Sequence, residues 1–438
     1  MPVIGIDLGT TSLCAAVYDD ELFHPLAVRT AEYPFIHSNR PYEAIQDPEL
    51  MVSQIISWCD QLIEQYPDIT AIGLTGQMHG MIYLNQDGDA ISPLYTWQDQ
   101  TGAQPEQTDM TYSQRLENQT GLVIPPGYGL ATVYAHQRQG RIPENAAAIC
   151  TVADYCVMKL CGRPAPLVHI TQAASLGAMD LLTSDFKRQD LLNADVPLEL
   201  LPEVTAEPVF AGTYRNIPVA VAIGDNQASF AGTVESAAGS ILVNYGTGSQ
   251  VSIWSEQPLD QPPLEVRPYL DGHYLLVGAA LCGGRAFAAL AGFFTEVLQM
   301  AEVHQHALYP AMDQLLCASP YPDHPLQVDT RFSGTRDDEH QTGSITGITL
   351  DNFTPAHLMW GVLDGMVHEL YDMAKPLLSE NRRYRLVASG NGIRKNPALR
   401  QRLEAIFALP ATLPEIEEEA ARGSARFALM CLDHRDDH

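Results

Sequence analysis

The chain opens on a near-continuous apolar run, Val3 to Leu8, that carries one carboxylate, Asp7. Gly9-Thr10-Thr11-Ser12 follows and apolar residues resume over 13–18, which predicts a strand pair around a tight turn. The pattern returns half a chain later as Leu242-Val243-Asn244-Tyr245 and then Gly246-Thr247-Gly248-Ser249. Residues 48–66 read as a helix, with apolar positions at 52, 55, 56, 59, 62 and 63, Asp47 as cap and Pro48 in the first turn. Ile69 to Leu74 is a short buried strand feeding Thr75-Gly76-Gln77-Met78-His79-Gly80. A hairpin about Asp87-Gly88 would then set Met78 and His79 opposite Thr96 and Trp97, with Pro93 as the residue that disturbs the ladder.

Residues 185–215, with Pro197, Pro202 and Pro208, read as a loop-rich link between halves. Ile217 to Ile223 reads as a buried strand opening the second half and delivering Gly224-Asp225-Asn226-Gln227. Helices are expected from about 284 to 300, over 356–378, over 396–407 and from about Ala420, and the strand ending at Ser389 enters Gly390-Asn391-Gly392. The acidic run from Glu415 to Glu419 reads as a solvated segment at a helix start. With 438 residues the expectation is α/β with two domains, 1–215 and 216–438.

Composition changes that picture in one respect. The formal charge of −28, from 25 basic and 53 acidic residues, repels phosphate backbones and anionic membranes, so neither nucleic acid nor a membrane is an expected partner. Any phosphate site must be built locally, from backbone amides, hydroxyls and a divalent cation. The start lacks a basic, long-apolar leader, no run has the length of a membrane span, and the eight cysteines form no C-x-x-C pair; together these fit a cytoplasmic protein with reduced thiols.

Each Gly-Thr turn offers N–H groups and hydroxyls to an anionic oxygen, although a hairpin turn alone would use the same residues. Gln77, Met78, His79, Trp97, Gln98 and Asp99 gather amides, an imidazole, a carboxylate and an aromatic platform, a set suited to a polyhydroxyl ligand. Asp225 at a strand end reads either as a helix cap or as a base. Together the parts describe transfer of a phosphoryl group from a nucleotide to a sugar hydroxyl.

On Asp7-Leu8-Gly9-Thr10-Thr11-Ser12, Gly76-Gln77-Met78-His79-Gly80, Trp97-Gln98-Asp99, Gly224-Asp225-Asn226-Gln227-Ala228 and Gly390-Asn391-Gly392 with Asn396, the chain resembles the FGGY family of carbohydrate kinases over nearly its whole length. Within that family it is similar to ketose kinases, the sedoheptulokinases before the xylulokinases. Pro268-Tyr269, Cys282-Gly283-Gly284 and Ser333-Gly334-Thr335-Arg336 before Gly343 carry that preference. The resemblance implies two ribonuclease H-like domains, of the sugar kinase/actin/Hsp70 kind, flanking a catalytic cleft. It implies ATP and Mg²⁺, Asp225 as general base and Mg²⁺ neighbour, and Asp7 as the other metal carboxylate. Gly9, Thr10, Thr11, Ser12, Gly246, Thr247, Gly248, Gly284, Gly390, Asn391, Gly392 and Asn396 would hold the nucleotide. Gln77, Met78, His79, Trp97, Asp99 and Asn226 would hold the acceptor, sedoheptulose ahead of a pentulose. The arginine that commonly follows Trp-x-Asp in xylulokinases is replaced by Gln100-Thr101-Gly102. A homodimer is one assembly the sequence leaves open, and a chaperone- or filament-type ATPase is the competing reading, which has no use for the polyol residues.

Overall fold

The computed structural model describes residues 2–19, 24–107, 109–303, 308–335, 338, 340–379 and 382–436. Arg336, part of the expected Ser-Gly-Thr-Arg motif, lies outside them. The chain forms two units. One comprises Met1–Glu235, Arg267–Tyr274 and Ile416–His438, the other Ser236–Val266 and Leu275–Glu415.

The first unit is built on a seven-stranded sheet in the order Phe210–Tyr214, Ile217–Ala220, Ala71–Gly76, Val3–Leu8, Ser12–Tyr18 and Pro25–Glu32, with Ile223–Gly224 also pairing beside Ala71–Gly76. Val3–Leu8 runs antiparallel to Ser12–Tyr18 and parallel to Ala71–Gly76, aligning Asp7 with Cys14 and Thr75. All six residues of Ala71–Gly76 are buried, which explains why the strand reads as an unbroken apolar run.

The last helix, Glu419–Asp436, belongs to this unit and lies close to the sheet through small residues. A Cβ on Gly5 would sit 1.9 Å from the Ala421 carbonyl oxygen, and one on Gly73 would sit 1.9 Å from that of Ser424. Ser424 Oγ fills the seam, accepting from Ile6 N at 3.1 Å.

Three expectations are corrected here. Phe210–Tyr214 and Ile217–Ala220 are antiparallel strands of the first unit's sheet, so residues 185–215 are not a link and the 217–223 segment does not open the second half. Prolines at 197, 202 and 208 had disguised an edge strand, where pairing on one side suffices. The boundary accordingly falls after Glu235 rather than after 215. Finally, the Asp87-Gly88 hairpin forms not as a regular ladder but through the bridges Met81↔Tyr95 and Leu84↔Ala90, whose registers differ by two residues across Ser92-Pro93, the disturbance expected of Pro93. The strands themselves pair elsewhere, Ile82–Leu84 with Ala148–Cys150 and Leu94–Tyr95 with Ile45–Gln46.

The second unit has a six-stranded sheet ordered Glu265–Pro268, Tyr274–Ala280, Ser249–Ser255, Ser240–Tyr245, Arg385–Ser389 and Ala411–Thr412. Ser240–Tyr245 is antiparallel to the strand after its turn and parallel to Arg385–Ser389. As in the first sheet, the opening strand has an antiparallel partner across its turn on one side and a parallel partner on the other. The Pro355–Ala374 helix covers it with Met359, Leu363, Val367 and Leu370, four residues at helical spacing. The expected helix over 356–378 is thus this helix, extended by the 3₁₀ turn Lys375–Leu377.

Candidate functional site

In the first unit the turn between Leu8 and Ser12 is tight, with the Gly9 Cβ position 2.8 Å from the Ser12 carbonyl oxygen. The turn is braced from two sides. Thr10 O accepts from Gln46 Nε2 at 2.7 Å, and Thr10 Oγ1 accepts from Trp97 Nε1 at 2.9 Å. Gln77 supports the brace by donating from Nε2 to Gln46 Oε1 at 2.9 Å, so this glutamine, 1 % exposed, works behind the turn rather than on an open face. Thr11 and Ser12 stay exposed.

Asp7 is the last residue but one of the strand below this turn, and one of its carboxylate oxygens is enclosed without a hydrogen-bond partner. Asp225 is the first residue of the Asp225–Thr233 helix and follows Gly224, which approaches Met78 so closely that a Cβ would lie 2.8 Å from its sulfur. Burial pushes the Asp7 carboxyl up to about 7, and the charges of Asp225 and Glu418 push in the same direction. Burial likewise lifts Asp225 to about 6, opposed by the Arg267 guanidinium and by the Asn226 amide. Partly buried, both carboxyls hold their protons to higher pH than an exposed aspartate would, Asp7 more so than Asp225. Glu418 therefore takes part in this acidic centre. Its backbone adopts φ +55° and its carbonyl accepts from Tyr18 Oη at 3.2 Å; Glu415, Glu417 and Glu418 are exposed just before the Glu419–Asp436 helix, the solvated helix start that was expected.

His79 leaves the extended conformation at φ +73°, the left-handed region that a non-glycine residue enters only when its neighbours hold it. Ser175 holds it, with Oγ accepting from the His79 amide at 3.0 Å and the carbonyl accepting from Nδ1 at 3.0 Å. The ring stacks on Tyr128, centroids 4.2 Å apart. Trp97 is 46 % exposed and presents a platform, whereas Met78 is buried. Asp99 is fully enclosed. Its oxygens accept from Thr101 N at 2.9 Å and Ala44 N at 3.3 Å, so it anchors its own loop from an enclosed position. Asn226, half-buried, follows Asp225 in the first turn of its helix.

The second unit gathers its own glycine-rich centre around one turn. Tyr245 pairs with Ser249, and Gly246 N donates to Gly248 O at 2.9 Å, closing the loop with Gly246 and Thr247 exposed. Gly284 N donates to Gly246 O at 3.2 Å, and Gly390, at φ +92°, brings its backbone against Tyr245, where a Cβ would lie 2.5 Å from the carbonyl oxygen. Gly392 approaches the same oxygen, while Asn391 is exposed at the start of a short helix. Ser249 Oγ is enclosed without a partner. Asn396 caps the Pro397–Phe407 helix, its Oδ1 accepting from Leu399 N at 3.0 Å, which is a structural task.

Sequence reasoning missed Tyr128, Ser175, Gln46, Arg267 and Glu418. Only Tyr128-Gly129, at a helix start, carried a local signal. The rest act through contacts between residues distant in sequence.

Residues 2–232 match the N-terminal domain of the FGGY family of carbohydrate kinases and residues 241–432 its C-terminal domain. A sedoheptulokinase of Mus musculus is 27% identical, with 98% of this chain and 97% of that protein covered, and one of Homo sapiens is 26% identical over 96% of each. Among solved structures, a xylulose kinase from Rhodospirillum rubrum superimposes with a TM-score of 0.83 at 20% identity, covering 98% of this chain and 90% of that one. Two glycine-threonine turns on sheets of one scheme and two family domains in the same order lead to one conclusion: the chain belongs to the FGGY family of carbohydrate kinases and is an ATP-dependent sugar phosphotransferase.

Proposed function

We propose that this enzyme phosphorylates the terminal hydroxyl of a ketose, sedoheptulose, to give sedoheptulose 7-phosphate. The observation that carries the reading is the acidic centre of the first unit, where Asp225 opens a helix beside Asp7 while the same unit presents His79 and Trp97. The likeness to two sedoheptulokinases over nearly the whole chain supports this acceptor over a pentulose.

Asp225 acts as general base. Held near 6, its carboxyl is ionised at neutral pH yet basic enough to take a proton as the hydroxyl oxygen attacks the γ-phosphorus. The new bond joins that oxygen to phosphorus, the bond to the β-phosphate oxygen breaks, and ADP leaves with the electron pair. Gly9, Thr10, Thr11 and Ser12 form a turn whose hydroxyls and amides suit phosphate oxygens, and Gly246, Thr247 and Gly248 form, within their own unit, a turn of the same chemistry. Gly284, Gly390, Asn391 and Gly392 border the nucleoside end. His79 Nδ1 donates to a carbonyl, so a neutral ring keeps Nε2 as an acceptor for a sugar hydroxyl.

The donor chemistry fits Mg²⁺ at Asp7 and Asp225, because an enclosed carboxylate oxygen of Asp7 has no partner in the protein. Among the described residues no three His, Cys, Asp or Glu side chains form a cage, so phosphate oxygens and water would complete the shell. When bound, the ion neutralises charge on the β- and γ-phosphates. Eight free cysteines support a cytoplasmic setting.

ATP consumption measured in parallel over seven-, six- and five-carbon ketoses tests the acceptor. Clear preference for a pentulose removes sedoheptulose. Asp225→Asn is expected to cut turnover by about 10²-fold or more with sugar binding within a few-fold, and near-normal turnover removes the base.

A further inference from the structure

The short helix Ile170–Leu176 lies in a stretch that contributes no residue to the nucleotide, metal or acceptor sets above. Three of its polar side chains are nonetheless enclosed: Thr171 and Gln172 at 0% exposure and Ser175 at 2%. Buried polar side chains are costly unless their bonds do something specific. Here the bonds run to two segments that carry the chemistry.

Toward the base, Thr171 Oγ1 accepts from the amide of Gly224 at 3.1 Å, the residue just before Asp225. The Thr171 hydroxyl also lies 2.9 Å from His169 Nδ1. Because the hydroxyl is an acceptor for Gly224, its proton is available for that imidazole nitrogen, which fixes the rotor. Gln172 Nε2 donates to the carbonyl of Ile223 at 3.1 Å, and Thr75 Oγ1 donates to the same carbonyl at 2.8 Å. The Ile223–Gly224 peptide, one residue ahead of Asp225, is therefore gripped on both its N–H and its C=O by side chains.

Toward the acceptor, Gln172 Nε2 also reaches the carbonyl of Gly76 at 3.4 Å, at the root of the Gln77-Met78-His79 loop. One helical turn on, Ser175 holds His79 by amide and ring, and the Ser175 hydroxyl donates to Gln172 O at 2.7 Å. One face of a seven-residue helix thus grips the backbone ahead of Asp225 and the backbone and ring of His79.

We infer that the Ile170–Leu176 helix is a positioning element that sets the distance and angle between the general base and the acceptor-binding histidine, with Thr171 acting through Asp225 and Ser175 acting through His79. This rests on the roles proposed above for Asp225 and His79. The physical need is plain: a misplacement of about 1 Å at the reacting atoms can cost 10²-fold. A residue held at φ +73° and a helix begun right after a strand both relax unless held externally.

The test separates the two grips. Thr171→Val keeps shape and loses the acceptor for Gly224 N. It is expected to lower kcat about tenfold, with KM for ATP and for the ketose within about twofold, and Thr171→Ser is expected to restore kcat to within about threefold. Ser175→Ala is expected to raise the ketose KM about fivefold at unchanged ATP KM, and to add nothing further in a His79→Ala background, since residues acting through one another are not additive. Wild-type kcat in Thr171→Val, a parallel drift of both KM values in either variant, or a full Ser175→Ala effect on top of His79→Ala overturns the inference. If Thr171→Val does not fold, the Ser175 cycle decides alone. Asp225→Asn and His79→Ala are measured alongside. Near-normal behaviour of those two sinks the proposed roles themselves, whereas their expected losses with silent Thr171 and Ser175 variants sink only the positioning helix.

Discussion

Asp7→Asn is expected to make the ligand-free protein more stable while destroying its turnover. The Asp7 carboxyl is lifted from 3.8 to about 7, chiefly by burial and then by the charges of Asp225 and Glu418. A folded-state value above the unfolded one means that the protonated form suits the fold. Stability from this group is full below 3.8 and is lost as pH rises towards about 7. At pH 8 the aspartate is ionised in both states, and a gap of about 3 pH units at about 1.4 kcal/mol each sets an upper bound near 4 kcal/mol. Relaxation and water entry reduce this to on the order of 2 kcal/mol, or roughly 4–8 °C in Tm for a unit of this size.

A neutral amide escapes that cost at every pH. Thermal unfolding of nucleotide-free, EDTA-treated protein should thus show Asp7→Asn melting above wild type at pH 8, with the difference falling to less than half at pH 5, where the wild-type carboxyl is largely protonated. Turnover with MgATP should drop by about 10²-fold or more, the trade expected where a strained charge serves chemistry. A variant that melts at or below wild type at pH 8, or a difference that does not shrink towards pH 5, would refute the reasoning.

Turnover itself should fall on the acid side of about pH 6, approaching tenfold per pH unit, as the base of Asp225 becomes protonated; a flat kcat profile from pH 8 to 5 contradicts this. Gly423→Ala should destabilise by about 1–3 kcal/mol or more, because the new Cβ would stand 1.8 Å from the Ala228 carbonyl oxygen and two helices must part; unchanged urea unfolding would disprove the tight seam. Asn396→Ala should cost about 1 kcal/mol as a lost helix cap with ATP KM unchanged. A several-fold rise in ATP KM without loss of stability would instead make Asn396 a nucleotide contact.

Much of the fold was legible because local chemistry and tertiary structure agree. The Pro48–Gln65 helix has its Asp47 cap, with Oδ1 accepting from Glu49 N and Leu50 N, and the strands around both Gly-Thr turns lie where apolar runs predict them. The edge strand Phe210–Tyr214 was not legible, since proline-rich flanks look like loop when the pairing partner is unknown. The hairpin before Trp97 was legible in its turn and in the disturbance at Pro93, but not in the other partners its strands find.

The candidate site divides in the same way. Residue types at Asp7, the two turns, His79, Trp97 and Asp225 announce phosphate, polyol and base because those tasks need particular donors and acceptors, and such needs are written in short stretches of chain. Which of the named residues face a ligand is a separate matter. Gln77 braces a turn, Asp99 ties a loop and Asn396 caps a helix, each decided by partners 31, 55 or 3 residues away. The raised carboxyls belong to this second class. Burial and the neighbouring charges of Asp225 and Glu418 exist only after residues 7, 225 and 418 have been brought together, because a carboxyl's proton affinity is set by the dielectric and the field around it.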